Sequence, residues 1–103
     1  MAAQLKIRLC ANADGSITIR VAGEADPLSA PVLRQALKDA TTGSSPPTID
    51  ITDLSHLDPT GLTVLFEAAR ETGLEMIIGP GCRAYQVVEV SGLRDVAYVR
   101  SAR

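Results

Sequence analysis

The 103-residue chain contains no tryptophan, one phenylalanine, two tyrosines, one histidine and two cysteines. Each scarcity removes a class of function. Three aromatics do not make the stacking platform of a single-strand nucleic-acid binder. Ten Lys+Arg against twelve Asp+Glu, a formal charge of -2, lack the basic footprint that a phosphate backbone requires, so no direct nucleic-acid partner is expected. A lone histidine, His56, and the distant Cys10 and Cys82 offer no metal-ligand spacing, and no cofactor motif is present. No apolar run approaches the roughly 20 residues that span a bilayer, and residues 1–9 have no basic segment leading into a long apolar stretch. A cytoplasmic chain with free thiols rather than a disulfide is the expectation.

What is present is 46% hydrophobic and 21% charged, the balance of one globular domain over residues 1–103, large enough to form a core without cross-links. Leu5, Ile7 and Leu9 alternate with Lys6 and Arg8, and Ile17, Ile19 and Val21 alternate with Thr18 and Arg20. With the turn Asn12-Ala13-Asp14-Gly15 between them, they predict an antiparallel hairpin with one apolar and one charged face. Gly23-Glu24-Ala25-Asp26-Pro27 is expected to end the second strand. Ser29 as a cap and Pro31 in the first turn then open a helix with Val32, Leu33, Ala36, Leu37 and Ala40 as its stripe.

The polar residues 41–47 suit a helix-to-strand loop, followed by a short strand, Thr48-Ile49-Asp50-Ile51. Asp58-Pro59 reads as an N-cap with proline at the first helical position, Thr60 as the cap being the one-residue alternative. The helix continues through Leu62, Leu65, Phe66 and Ala69 to Gly73. A strand at Glu75-Met76-Ile77-Ile78, a helix over residues 83–91 stopped by Gly92, and a last strand over residues 96–99 complete the order β-β-α-β-α-β-α-β. The predicted fold is α/β, a mixed sheet with an N-terminal hairpin and then alternating β/α units.

Two separated segments, Gly23-Glu24-Ala25-Asp26 with Ala30-Pro31-Val32-Leu33, and Ile49-Asp50-Ile51 through Leu57-Asp58-Pro59-Thr60-Gly61-Leu62, together with Val88-Glu89-Val90-Ser91-Gly92-Leu93, resemble the STAS domain family. The stand-alone bacterial members of that family are anti-sigma factor antagonists. The resemblance implies a protein-interaction switch rather than an enzyme. Its partner is a kinase-type anti-sigma factor, bound when the domain is unmodified and released on phosphorylation of a Ser or Thr at a helix start. Thr60 matches the acceptor, Asp58 the acidic residue of its loop, and Glu24 and Asp26 the acidic pair after the second strand. Asp26, Asp58, Thr60, Gly61 and Leu62 are therefore the expected partner-binding residues. Pro59 departs from the small hydroxyl residue often found before the acceptor. Family members also commonly carry a further helix beyond the segment that here ends at Ser101-Ala102-Arg103.

Each of these residues also has a plain reading: Thr60 as an exposed hydroxyl, Asp58 as a helix cap, Glu24 and Asp26 as a solvated turn. Ser55, His56 and Asp58 invite a catalytic triad, but sequence neighbours rarely supply its geometry. Gly79-Pro80-Gly81 lacks the lysine of a phosphate-binding loop. Cys82, between a strand and a helix, stands where a helix N-terminus can lower a thiol pKa, but a buried or inert thiol is the default expectation. The rival functions are a STAS subunit of a transport ATPase complex or stressosome-like assembly, and a small-ligand or nucleotide-binding domain.

Overall fold

The computed structural model describes residues 5–41 and 46–101. Part of the expected loop over 41–47, the first residues of the chain and its last two lie outside the described residues. The elements run β1 (Lys6–Ala11), β2 (Ile17–Ala25), α1 (Ala30–Ala40), β3 (Thr48–Leu57), α2 (Pro59–Glu71), β4 (Glu75–Ile78), α3 (Tyr85–Ser91) and β5 (Tyr98–Ser101), with a 3-10 turn at Leu93–Asp95.

The five strands lie in one sheet in their sequence order; β1 is antiparallel to β2 and the rest are parallel. The hairpin turn is fixed by Gly15 at φ 89° and by Asp14, which accepts from the Ser16 amide at 2.9 Å. Right-handed crossovers that step one place at a time along a sheet all cover the same face. Ile19, Val21 and Ala25 of β2, Ile49, Ile51, Leu54 and Leu57 of β3, and Met76 and Ile78 of β4 are buried there in one cluster with Leu33 and Leu37 of α1, Val64 and Leu65 of α2, and Val88 and Leu93. The opposite face carries Arg20, Asp50, Glu75, Tyr98 and Arg100, with Arg100 paired to Glu75 at 3.2 Å.

Four local expectations change. β2 does not end at Gly23 but runs to Ala25, with Gly23 at φ 93° absorbing an irregularity in its pairing with β3. β3 extends six residues beyond the expected Ile51, to Leu57. Between Arg20↔Asp50 and Ala22↔Asp53, and again between Gly23↔Leu54 and Glu24↔His56, β3 carries one residue more than β2. These bulges move its buried positions from the period of 49 and 51 to 54 and 57, which hides the strand from a period-2 reading. α3 begins at Tyr85 rather than 83, and β5 lies at Tyr98–Ser101 because residues 93–95 turn first.

Candidate functional site

The lengthened β2 and β3 deliver the two acidic segments to the same end of the sheet. The Asp58 amide donates to the Ala25 carbonyl at 3.0 Å, so the chain leaving β3 stays tied to the last residue of β2. Asp58 is the N-cap of α2: it is extended at φ -87°, ψ 173°, and its carboxylate accepts from the Gly61 amide at 2.9 Å. Pro59 occupies the first helical position, which removes the alternative of Thr60 as the cap and sets Thr60 in the first turn.

Thr60 is exposed. Of the first-turn amides, Pro59 has no N–H, that of Gly61 is taken by the Asp58 carboxylate and that of Leu62 by the Asp58 carbonyl at 2.9 Å. Among the described residues nothing accepts from the N–H of Thr60 itself, which stays at the positive end of the helix. Thr63 turns its hydroxyl back to the Pro59 carbonyl at 2.9 Å, so it does not compete for that space.

Gly61, expected at the partner surface, is buried. A Cβ there would stand 2.9 Å from the Ala25 Cβ, 3.1 Å from Leu57 Cδ1 and 3.3 Å from the Ala25 carbonyl oxygen. Its missing side chain is what allows the start of α2 to close on the end of β2. Leu62 is half-buried and packs against the core.

Asp26 lies directly after Ala25 and opens α1. Its carboxylate accepts from the Ser29 amide at 2.9 Å and from the Ser29 hydroxyl at 3.0 Å, while its own amide donates to that hydroxyl at 2.9 Å. These bonds stabilise the ionised form and hold the Asp26 carboxyl below the ordinary carboxylate range. Ser29 thus does not cap α1 with its own side chain, as its position suggests; Asp26 reaches forward to it. Glu24 is half-buried, paired in register with His56.

Two residues at this end were missed in the sequence. Ala25 receives the Asp58 amide and seats Gly61; nothing in a lone alanine announces that. Leu28, between Pro27 and Ser29, is 87% exposed. A leucine in a polar turn and outside the apolar stripe of α1 is a readable signal.

No triad forms. The Ser55 hydroxyl donates to the Gly23 carbonyl at 2.8 Å, and Asp58 is engaged by Gly61. Among the described residues no group of acidic, histidine and cysteine side chains is placed to hold a metal, and no helix is long and apolar enough to cross a membrane. The Cys82 thiol is half-buried and donates to the Ile51 carbonyl at 3.2 Å; burial raises its pKa, with Asp50 and Asp53 adding to the effect, over the opposing hydrogen bonds from Ala84 and Tyr85. The thiol pKa therefore moves opposite to the lowering that a helix N-terminus gives, in keeping with the default of a buried, inert thiol. A cavity of about 260 Å³ between α1 and α2 is crossed by the Arg34–Glu67 ion pair at 2.8 Å and lies along the helices, away from the first turn of α2.

The arrangement is a small α/β domain whose exposed helix start is flanked by a fixed acidic turn. The family model described as "Mlab, STAS domain" matches residues 10–99. The chain belongs to the STAS domain family. An anti-sigma-B factor antagonist of Listeria monocytogenes is 32% identical over 90 residues, covering 82% of this chain and 79% of the relative. An anti-sigma factor antagonist from Mycobacterium paratuberculosis shares the fold at a TM-score of 0.79 and 23% identity, covering 96% of this chain and 89% of that one. The anti-sigma factor antagonist SpoIIAA in its unphosphorylated form shares it at 0.67 and 22% identity, covering 95% and 89%.

Proposed function

We propose that this domain is a cytoplasmic anti-sigma factor antagonist that binds a kinase-type anti-sigma factor when unmodified and is released when that kinase phosphorylates Thr60. The carrying observation is the exposed Thr60 in the first turn of a helix whose cap, Asp58, is fixed from inside the fold. Phosphoryl transfer from ATP to the Thr60 hydroxyl, with loss of its proton and departure of ADP, adds about -1.5 to -2 charges at this end. The fold tolerates that charge because the free amide and dipole of α2 favour an anion. The complex does not, because a surface docked around a neutral hydroxyl beside Asp58 acquires like-charge repulsion and a desolvation cost. A differential penalty of about 3 kcal/mol lowers affinity on the order of a hundredfold. Asp26, Leu28 and the exposed part of Leu62 supply the surrounding contacts, while Gly61 sets their spacing.

The test is incubation with the cognate kinase and ATP. Wild type incorporates phosphate and Thr60→Ala does not; equal incorporation by both rejects Thr60 as acceptor. Thr60→Glu binds the partner more weakly than wild type, and unchanged affinity rejects the electrostatic release. A second reading, docking of the same helix start inside a larger assembly without phosphorylation, is favoured by Pro59 in front of Thr60. It predicts no phosphate incorporation and partner binding that survives Thr60→Ala.

A further inference from the structure

β1 is an edge strand: among the described residues nothing pairs with its outer side. Its two faces differ in kind. Lys6 and Arg8 are exposed on the open face of the sheet, whereas Leu9, 50% exposed, follows the partly buried Leu5 and Ile7 on the helix-covered face.

Charge on an edge strand is by itself an ordinary device against self-pairing. Two observations go further. Arg8 stands directly opposite Arg20 in the β1/β2 register, a like-charge cross-strand pair that weakens the sheet that contains it. Lys6, Arg8 and Arg20 also line a cavity of about 310 Å³ on the open face, with Asp53 the one acid on its wall. Arg20 also forms a long ion pair with Asp50 at 4.0 Å, its side chain 64% exposed, so these three cations meet two acids, Asp50 and Asp53. In a chain with net charge -2, this patch keeps an excess of positive charge, with Lys6 and Arg8 on its outer edge.

We propose that the β1 edge takes up an extended acidic segment of a partner protein by strand addition. The backbone of the segment continues the sheet, its acidic side chains lie over Lys6, Arg8 and Arg20, and its alternate apolar side chains extend the core beside Ile7 and Leu9. A second copy of this chain does not fit, because pairing β1 with β1 brings Lys6 and Arg8 against the same cations. This surface is separate from the first turn of α2 and does not depend on phosphorylation of Thr60.

The experiment is a titration of the isotope-labelled protein with three capped peptides: alternating Glu and Val, alternating Lys and Val, and alternating Glu and Pro. The Glu/Val peptide shifts the β1 amides and protects them from exchange, and its binding weakens with salt. The other two bind more weakly, and Lys6→Glu/Arg8→Glu weakens Glu/Val binding about tenfold and gains binding to Lys/Val. Equal binding of the Glu/Pro peptide overturns strand addition in favour of a simple cationic patch. Equal binding of the Lys/Val peptide, or no binding of Glu/Val, overturns the acidic partner. A dimer that protects β1 makes a second copy the occupant and overturns the proposal as well. Should the double variant not fold, the three peptides on wild type at low and high salt decide by the same criteria.

Discussion

Replacing Gly61 by alanine tests how the site is built. The added Cβ would sit 2.9 Å from the Ala25 Cβ, against the roughly 3.5–4.0 Å of an unstrained carbon contact. Leu57 Cδ1, at 3.1 Å, is the end of a flexible side chain and can yield; Ala25 cannot. It is fully buried, paired in register with Leu57, and its carbonyl holds the Asp58 amide. The start of α2 must therefore move outward, straining that 3.0 Å bond and the packing below it. Overpacking of this kind costs about 1–3 kcal/mol, and the better helix propensity of alanine returns at most about 1 kcal/mol. We expect a net loss of about 1–2 kcal/mol, a fall in Tm of roughly 4–16 °C. Urea and thermal unfolding measure it, and because Thr60 moves with the turn, under the proposed function affinity for the anti-sigma partner falls too. Ala25→Gly removes the atom in the way, so in that background Gly61→Ala should cost less by at least about 0.5 kcal/mol. A Gly61→Ala protein as stable as wild type, or strict additivity with Ala25→Gly, refutes the close-approach account.

Asp58→Ala removes the cap of α2 and should cost about 0.5–2 kcal/mol in urea unfolding, with Asp58→Ser recovering most of it; equal losses for both variants would show that the carboxylate acts otherwise. Leu28→Ala should leave the unfolding midpoint unchanged, since the side chain is exposed, yet weaken partner binding on the order of tenfold or more by calorimetry if it is an apolar anchor. Asp26 has a lowered native pKa, so its contribution to stability is complete above its unfolded value and is lost as pH falls through the native one. The gap in urea midpoint between wild type and Asp26→Ala should hold from neutral pH down to about pH 5 and close below about pH 4; a gap that widens on acidification contradicts the assignment.

The hairpin, the alternation of helices and strands, the Asp58-Pro59 start of α2 and the stop at Gly92 were all legible because each rests on short-range physics. A turn needs its glycine, a cap needs an oxygen within three residues, and a buried face repeats at a fixed period. The second half of β3 was not legible because two bulges break that period, and bulges are decided by the partner strand. The role of Ser29 was misread for a related reason: its hydroxyl and amide are both engaged by Asp26, and the choice between two capping oxygens three residues apart depends on how β2 enters the turn.

For Thr60, Asp58 and Asp26, the sequence named the residues and their resemblance to a family pattern, but not why segments about thirty positions apart share one end of the sheet. The tertiary structure decided that, through the 3.0 Å bond from Asp58 to Ala25 and a glycine small enough to let α2 reach β2. It also decided that Cys82 is a raised-pKa thiol bonded to Ile51 rather than an activated one, and that one face of the sheet stays open with Arg8 set against Arg20. Composition, caps and periodicity act between neighbours in the chain and can be read there. Burial, register and the meeting of like charges arise between strands that only the folded sheet brings together.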